Sequence, residues 1–265
     1  GVQDVCSSDL TTAGVNQNPI ILNNYQSNLP INTLKELLIT GTDTDAGKTI
    51  LTIALAAYWQ TYYKNQKLAL FKPIQTGIGD RELYTQLFSL EQSLDEINPA
   101  WYETPVAPPV ASEKEGRVIQ LDKIWSTFTT LREQKDFVLV EGLGGLGSPV
   151  TKELTVADIA RDWHLPTILV VPIKLGAIAQ IVANVALARQ MKVNLRGIIL
   201  NCVKPCSEQQ IADWTPVDLI ESLTQMQICG TIPHLADITD LAKLAKAASN
   251  LDLEKFLPIV SKVKS

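Results

Sequence analysis

The feature that most constrains this chain is an apolar run, Leu37-Leu38-Ile39-Thr40, that breaks into Gly41-Thr42-Asp43-Thr44-Asp45-Ala46-Gly47-Lys48-Thr49 and continues as a helical pattern. A strand turning through a glycine-bounded loop into a helix that begins Lys-Thr is the arrangement of a phosphate-binding loop. Backbone N–H groups of the loop and helix start surround the phosphates, the lysine reaches the terminal ones, and the hydroxyl faces a magnesium ion. Five residues separate Gly41 from Gly47, one more than in the common form. The bland alternative, an ordinary helix start on an α/β protein, is opposed by the acidic segment described below.

From Leu37 onward, short apolar runs alternate with longer amphipathic segments, which predicts strands joined by crossover helices. Strands are expected at 37–40, 68–72, 137–141, 167–171, 195–201 and 227–232. Helices are expected at 48–63, 81–88, 121–134, 156–163, 177–191, 216–225 and 251–263. Ile168-Leu169-Val170-Val171 and Ile198-Ile199-Leu200 do not alternate with polar residues, so both faces of these strands should be covered. The fold class is therefore α/β, a three-layer sandwich with a mostly parallel sheet, as in P-loop NTPases. Thr155 and Thr215 read as helix N-caps, with Pro216 opening its helix. The segment around Pro99, Pro105, Pro108 and Pro109 reads as a long loop.

The domain is taken to run from 34 to 265. Residues 1–33 lack sustained periodicity and read as a disordered leader. Within them, Cys6-Ser7-Ser8-Asp9-Leu10 is what the common sequencing-adaptor end TGCTCTTCCGATCT encodes in one frame. The hypothesis that the first ten residues are artefactual is tested by resequencing the source gene, and fails if genuine upstream DNA carries these codons.

Two further segments carry chemistry. Val138-Leu139-Val140-Glu141 ends an apolar strand in a carboxylate and runs into Gly142, Leu143, Gly144 and Gly145. A carboxylate at the C-terminal edge of a neighbouring strand can hold magnesium, and ligands of open α/β sheets gather at that edge. Lys72, in Phe71-Lys72-Pro73-Ile74-Gln75-Thr76-Gly77, ends another strand and points to the same edge. A strand-end lysine is ordinarily a solvated charge; beside a phosphate loop it can stabilise charge on a transferring phosphoryl group. Asp80 follows in a short loop and could complete a magnesium shell.

Taken in order, Gly-Thr-Asp-Thr-Asp-Ala-Gly-Lys-Thr, Lys-Pro-Ile-Gln-Thr-Gly, Val-Glu-Gly-Leu-Gly-Gly and Val-Pro-Ile-Lys-Leu-Gly resemble the dethiobiotin synthetases from about Leu37 to Leu235. The resemblance implies that 7,8-diaminononanoate, CO2 and ATP are substrates, that Mg2+ is required, and that the protein is a homodimer. It implies Lys72 and Lys48 as catalytic cations, with Thr49, Asp80 and Glu141 on the metal. The nucleotide would be held by Asp45, Ala46, Gly47, Lys48, Thr49 and Ile50, by Gly142, Leu143 and Gly144 after the strand carboxylate, and by Asn201 and Cys202. Pro233, His234 and Leu235 would line the base, His234 as a wall rather than a proton shuttle. Thr44, Thr76, Gly176, Ala177 and Ile178 would contact the diamine substrate, the last three through a helix N-terminus suited to a carboxylate. Two positions depart from the family's pattern: Ala179 stands where Asn is common, and Cys202 where an acid is often seen.

Other classes fit less well. Net charge is −5, and no Lys/Arg run could neutralise a series of phosphates, which argues against nucleic acid. The most apolar stretch, Leu175–Leu187, contains Gln180 and Asn184 and falls short of the roughly 20 residues that span a bilayer, so it reads as a buried helix rather than a membrane segment. Four cysteines and two histidines show no zinc-site spacing; Cys202 and Cys206 could pair, but free thiols in a reducing cytoplasm are the favoured reading. Related amidotransferases add a glutaminase domain for which no stretch is left. The alternative of another class is a switch-type ATPase of the partitioning family, whose early P-loop lysine is here Thr42.

Overall fold

The computed structural model describes residues 34–258. Six strands form one wholly parallel sheet: β1 (Glu36–Gly41), β2 (Leu68–Phe71), β5 (Phe137–Gly145), β6 (Thr167–Pro172), β7 (Leu195–Asn201) and β8 (Ile228–Ile232). Their order across the sheet is β2-β5-β1-β6-β7-β8. A small parallel pair, β3 (Ile74–Thr76) with β4 (Ala100–Tyr102), stands beyond the end of β2.

Alternate residues of the strands enter opposite layers, as the two-residue side-chain period requires. Leu37, Ile39, Leu139, Ile168 and Val170 pack with α1 (Lys48–Tyr62) and α10 (Leu241–Ala248). Leu38, Val138 and Val140 meet α5 (Leu121–Gln134) and α6 (Val156–Asp162) on the other face. Leu169, Val171, Ile198 and Leu200 extend that face under α7 (Ala177–Gln190) and α9 (Val217–Thr224). Both faces are covered, and the fold is the expected three-layer α/β sandwich. Ala54, Ala56 and Ala57 of α1 and Ala245, Ala247 and Ala248 of α10 are buried in one cluster, where small side chains let the two helices lie close.

Several expectations are corrected. The proline-rich segment is not a loop throughout: it contains β4 and α4 (Pro108–Lys114), whose two leading prolines occupy first-turn positions where no N–H is needed. Thr215 does not cap α9. It ends α8 (Glu208–Trp214), its hydroxyl donating to Ile211 O at 2.9 Å, and Pro216 is the N-cap. Thr155 does cap α6, accepting from Asp158 N. Only Leu253–Lys255 of the helix expected at 251–263 is helical among the described residues, as a single 3-10 turn. The helix α7 is buried on one face only, through Ala177, Ile181, Val185 and Ala188, while Ala179, Val182 and Ala183 are exposed. Short helices α2 (Asp80–Leu87), displaced by one residue from expectation, and α3 (Leu94–Ile97) complete the set. No helix among the described residues is long and apolar enough to cross a membrane. The leader lies outside the described residues.

Candidate active site

Three adjacent strands bring the chemistry together. Because β5 lies between β2 and β1, Lys72 after β2, Glu141 in β5 and the loop after β1 meet at one edge. Ile39 is in register with Glu141 and Gly41 with Gly145, with a bulge between. A Cβ on Gly145 would lie 2.9 Å from Gly41 O, so the two backbones approach too closely for any side chain.

The loop's end is equally specified. Gly47 has φ of 89°, and a Cβ there would come within 1.8 Å of Asn201 Nδ2. That amide donates to Ala46 O at 2.9 Å, so the end of β7 holds the loop. The N-terminus of α1 has no side-chain cap and no acidic residue in its first turn, which leaves its N–H groups to an outside anion. Lys48 Nζ is buried and donates to Asp43 O (3.1 Å) and Thr44 O (3.0 Å). Burial, then Lys72, lowers its pKa against the opposing pull of Glu141, Asp80 and Asp43.

Lys72 Nζ lies 2.8 Å from Glu141 Oε1 and 2.5 Å from Asp80 Oδ2, and also donates to Gly142 O. Its own backbone is fixed by Lys72 N to Ile97 O and by Asn98 Nδ2 donating to Lys72 O. Burial pulls the ammonium's pKa down, but Glu141 and then Asp80 more than reverse this and raise it above the ordinary lysine value. Asp80 opens α2; burial pushes its pKa up, and Lys72 with the Thr49 hydroxyl outweighs this to hold it below 3.8. Thr49 Oγ1 is 2.9 Å from both Asp80 Oδ1 and Glu141 Oε1, its single proton serving one of them. A hydroxyl and two carboxylates form a set of hard oxygen donors, which suits Mg2+.

The other predicted residues lie in the phosphate loop and the start of α1, on β3, along β5, after β7 and β8, and at the start of α7. Thr44 is exposed on the loop, Asp45 beside it, and Ile50 packs partly into the core. Thr76 ends β3, with Gly77 N donating to Tyr102 O. Gly144, at φ 51°, would place a Cβ 3.9 Å from Thr44 Oγ1, while Leu143 packs on the α5–α6 side. Cys202 N bonds Ile232 O, so Asn201 and Cys202 adjoin Pro233, His234 and Leu235; Pro233 and His234 are exposed. The Cys202 side chain lies in the core, and burial, then Cys206, raises the thiol to about 12. Gly176, at φ 89°, caps α7 ahead of buried Ala177 and half-buried Ile178, and Lys174 Nζ reaches Asp43 Oδ2 at 2.7 Å, tying this segment to the phosphate loop.

Sequence reasoning missed that tie, and missed Tyr84, whose buried phenol donates to Glu141 Oε2. It also missed Gln75, which accepts from Arg81 N and donates to Glu82, and Trp101, which donates to Gly77 O beneath the Arg81 guanidinium. The one available signal was Tyr84 standing four residues after Asp80, on the same helical face.

Residues 35–242 match the family model described as an AAA domain. Over 223 residues the chain is 59% identical to the ATP-dependent dethiobiotin synthetase of Gloeothece citriformis, covering 84% of this chain and 99% of the relative. The chain belongs to the dethiobiotin synthetase family. The family resemblance extends to a Synechocystis synthetase at 48% identity, covering 83% of this chain and 94% of the relative, and to a Bacillus subtilis one at 28%, covering 83% and 96%. Among solved structures, a ParA family ATPase from Chlorobium tepidum aligns with a TM-score of 0.52 at 14% identity, over 85% of this chain and 97% of that one. A chain of the MinC:MinD cell division protein complex from Aquifex aeolicus gives 0.53 at 19%, over 84% and 94%. At those identities the likeness is one of fold alone.

Proposed function

We propose that this chain is an ATP-dependent dethiobiotin synthetase, a ligase that forms C–N bonds in biotin biosynthesis. The observation that carries the reading is the meeting of Lys72, Asp80 and Glu141 with Thr49 of the phosphate loop. One amine of 7,8-diaminononanoate adds to CO2 and loses a proton, giving a carbamate. A carbamate oxygen attacks the γ-phosphorus of ATP and ADP leaves. The second amine attacks the carbonyl of the resulting mixed anhydride, phosphate departs, and the ureido ring of dethiobiotin closes.

Lys72 acts in this scheme as a cation rather than a base: against the pull of burial, the neighbouring Glu141 and Asp80 favour its charged form. It would draw the anionic carbamate toward the γ-phosphate, and Lys48 would turn from Asp43 and Thr44 carbonyls to the phosphates. Thr49, Asp80 and Glu141 would hold Mg2+, which supplies charge neutralisation for the triphosphate. Asp45 to Ile50, Gly142 to Gly144, and Asn201 with Cys202 would hold the nucleotide, and Pro233 to Leu235 would line its base. Thr44, Thr76 and the Gly176–Ile178 turn would hold the diamine and its carboxylate tail.

A cytoplasmic homodimer belongs to the same reading. Its support is the exposed apolar row Leu175, Ala179, Val182 and Ala183, together with the free thiols of Cys202, Cys206 and Cys229. Incubating the full chain with ATP, Mg2+, labelled bicarbonate and the diamine tests the activity. Acid-stable label should appear only with every component present, and Lys72→Ala should be inactive. Phosphate release without the diamine would instead favour a switch-type ATPase.

A further inference from the structure

Tyr84 has two faces. Its ring belongs to the core beside Leu70 and Phe88, with no exposed surface, but its hydroxyl leaves that core and donates to Oε2 of Glu141. The other carboxylate oxygen, Oε1, carries all the contacts with Lys72 and Thr49. Tyr84 also stands four residues after Asp80 on α2, so the two side chains share one face of that helix. Asp80 uses its own two oxygens on Thr49 and Lys72.

We propose that Tyr84 is a positioning residue for the metal site: its O–H occupies Oε2 of Glu141, leaves Oε1 facing the phosphate loop, and fastens α2 to β5 so that Asp80 meets Glu141. A free carboxylate can rotate and offer either oxygen or both; one held from behind offers a single oxygen in a single direction. Hydrogen bonds to ligating carboxylates orient them and commonly carry a large part of a site's metal affinity. The proposal rests on the magnesium reading given above.

The test is Tyr84→Phe, which keeps the ring and removes one hydroxyl. Mn2+ binding to the full chain with ADP present, followed by the electron paramagnetic resonance of free Mn2+, requires no diamine and no turnover. The dissociation constant should rise about tenfold. In the complete assay the half-saturating Mg2+ concentration should rise with it, while kcat returns at saturating metal. Glu141→Gln provides the second arm: in that background Tyr84→Phe should add little further loss, since the interaction has already been weakened. Unchanged Mn2+ affinity in Tyr84→Phe, full additivity with Glu141→Gln, or an activity loss that saturating Mg2+ does not restore would each overturn the proposal. Absence of dethiobiotin formation with intact Mn2+ effects would instead strike at the proposed reaction.

Discussion

Replacing Lys72 by Met removes the cation between two carboxylates while keeping a side chain of similar length. Glu141 is almost wholly buried, with a side chain 1% exposed, and the Asp80 side chain is 27% exposed. Breaking a buried pair by deleting one partner costs about 3–5 kcal/mol. The lower end applies here, because Asp80 retains some water and Lys48 remains near both acids. A loss of ~3 kcal/mol corresponds to a melting point lower by about 6–12 °C for a domain of this size. The deficit should be largest near neutral pH and shrink in acid, where Asp80, which burial pushes up and which Lys72 no longer holds down, takes up a proton. Magnesium should partly replace the lost charge: at a hundredfold excess over its dissociation constant, a ligand binding only the folded state adds about 2.7 kcal/mol. In the parent chain Lys72 competes for the same oxygens, so its gain from the metal should be smaller. Calorimetry of both proteins at pH 7 and pH 4, with and without Mg2+, measures all three effects. A variant that melts with the parent, or equal stabilisation of both by Mg2+, would refute the reasoning.

Glu82 is held at about 2 against a usual 4.5, burial pushing it up and Arg81, Gly79 N and Gln75 pulling it further down. Its contribution is therefore present above pH 4.5 and lost as pH falls towards about 2. Glu82→Gln should lower the urea midpoint at pH 6, with the difference from the parent closing near pH 2. Cys202 and Cys229 are buried, and burial first of all raises their thiols to about 12 and about 11. Both should resist iodoacetamide at pH 8 in the folded protein and react fully in denaturant, as peptide mass spectrometry would show.

Much of the layered fold was legible in periodicity. The unalternating apolar runs of β6 and β7 implied cover on both faces, and the structure puts α1 on one side and α7 on the other. The Pro99–Pro109 segment was illegible because proline marks a break in pattern without saying whether a short strand or a helix start follows it. Residues 251–258 of the helix expected at 251–263 were misread for a different reason: amphipathic spacing alone does not decide between a helix and the single turn at Leu253–Lys255 seated by Phe256 and Leu257 in the core.

Sequence alone determined the local chemistry of the candidate site. Gly47 is needed where φ is positive, Lys48 and Thr49 follow from the strand–loop–helix grammar, and Glu141 and Lys72 close apolar runs, Glu141 within β5 and Lys72 just after β2. Each is a statement about neighbours along the chain, where backbone geometry and side-chain type suffice. Tertiary structure alone decided that β5 enters between β1 and β2, and thereby that Lys72, Glu141 and Thr49 meet. It also decided that Asn201 closes over Gly47, that Lys174 reaches Asp43, and that Tyr84 turns its hydroxyl out of the core onto Glu141. Parallel strands are joined by crossovers that leave their order across the sheet open, so contacts spanning scores of residues are set by how the layers pack, and no local pattern encodes them.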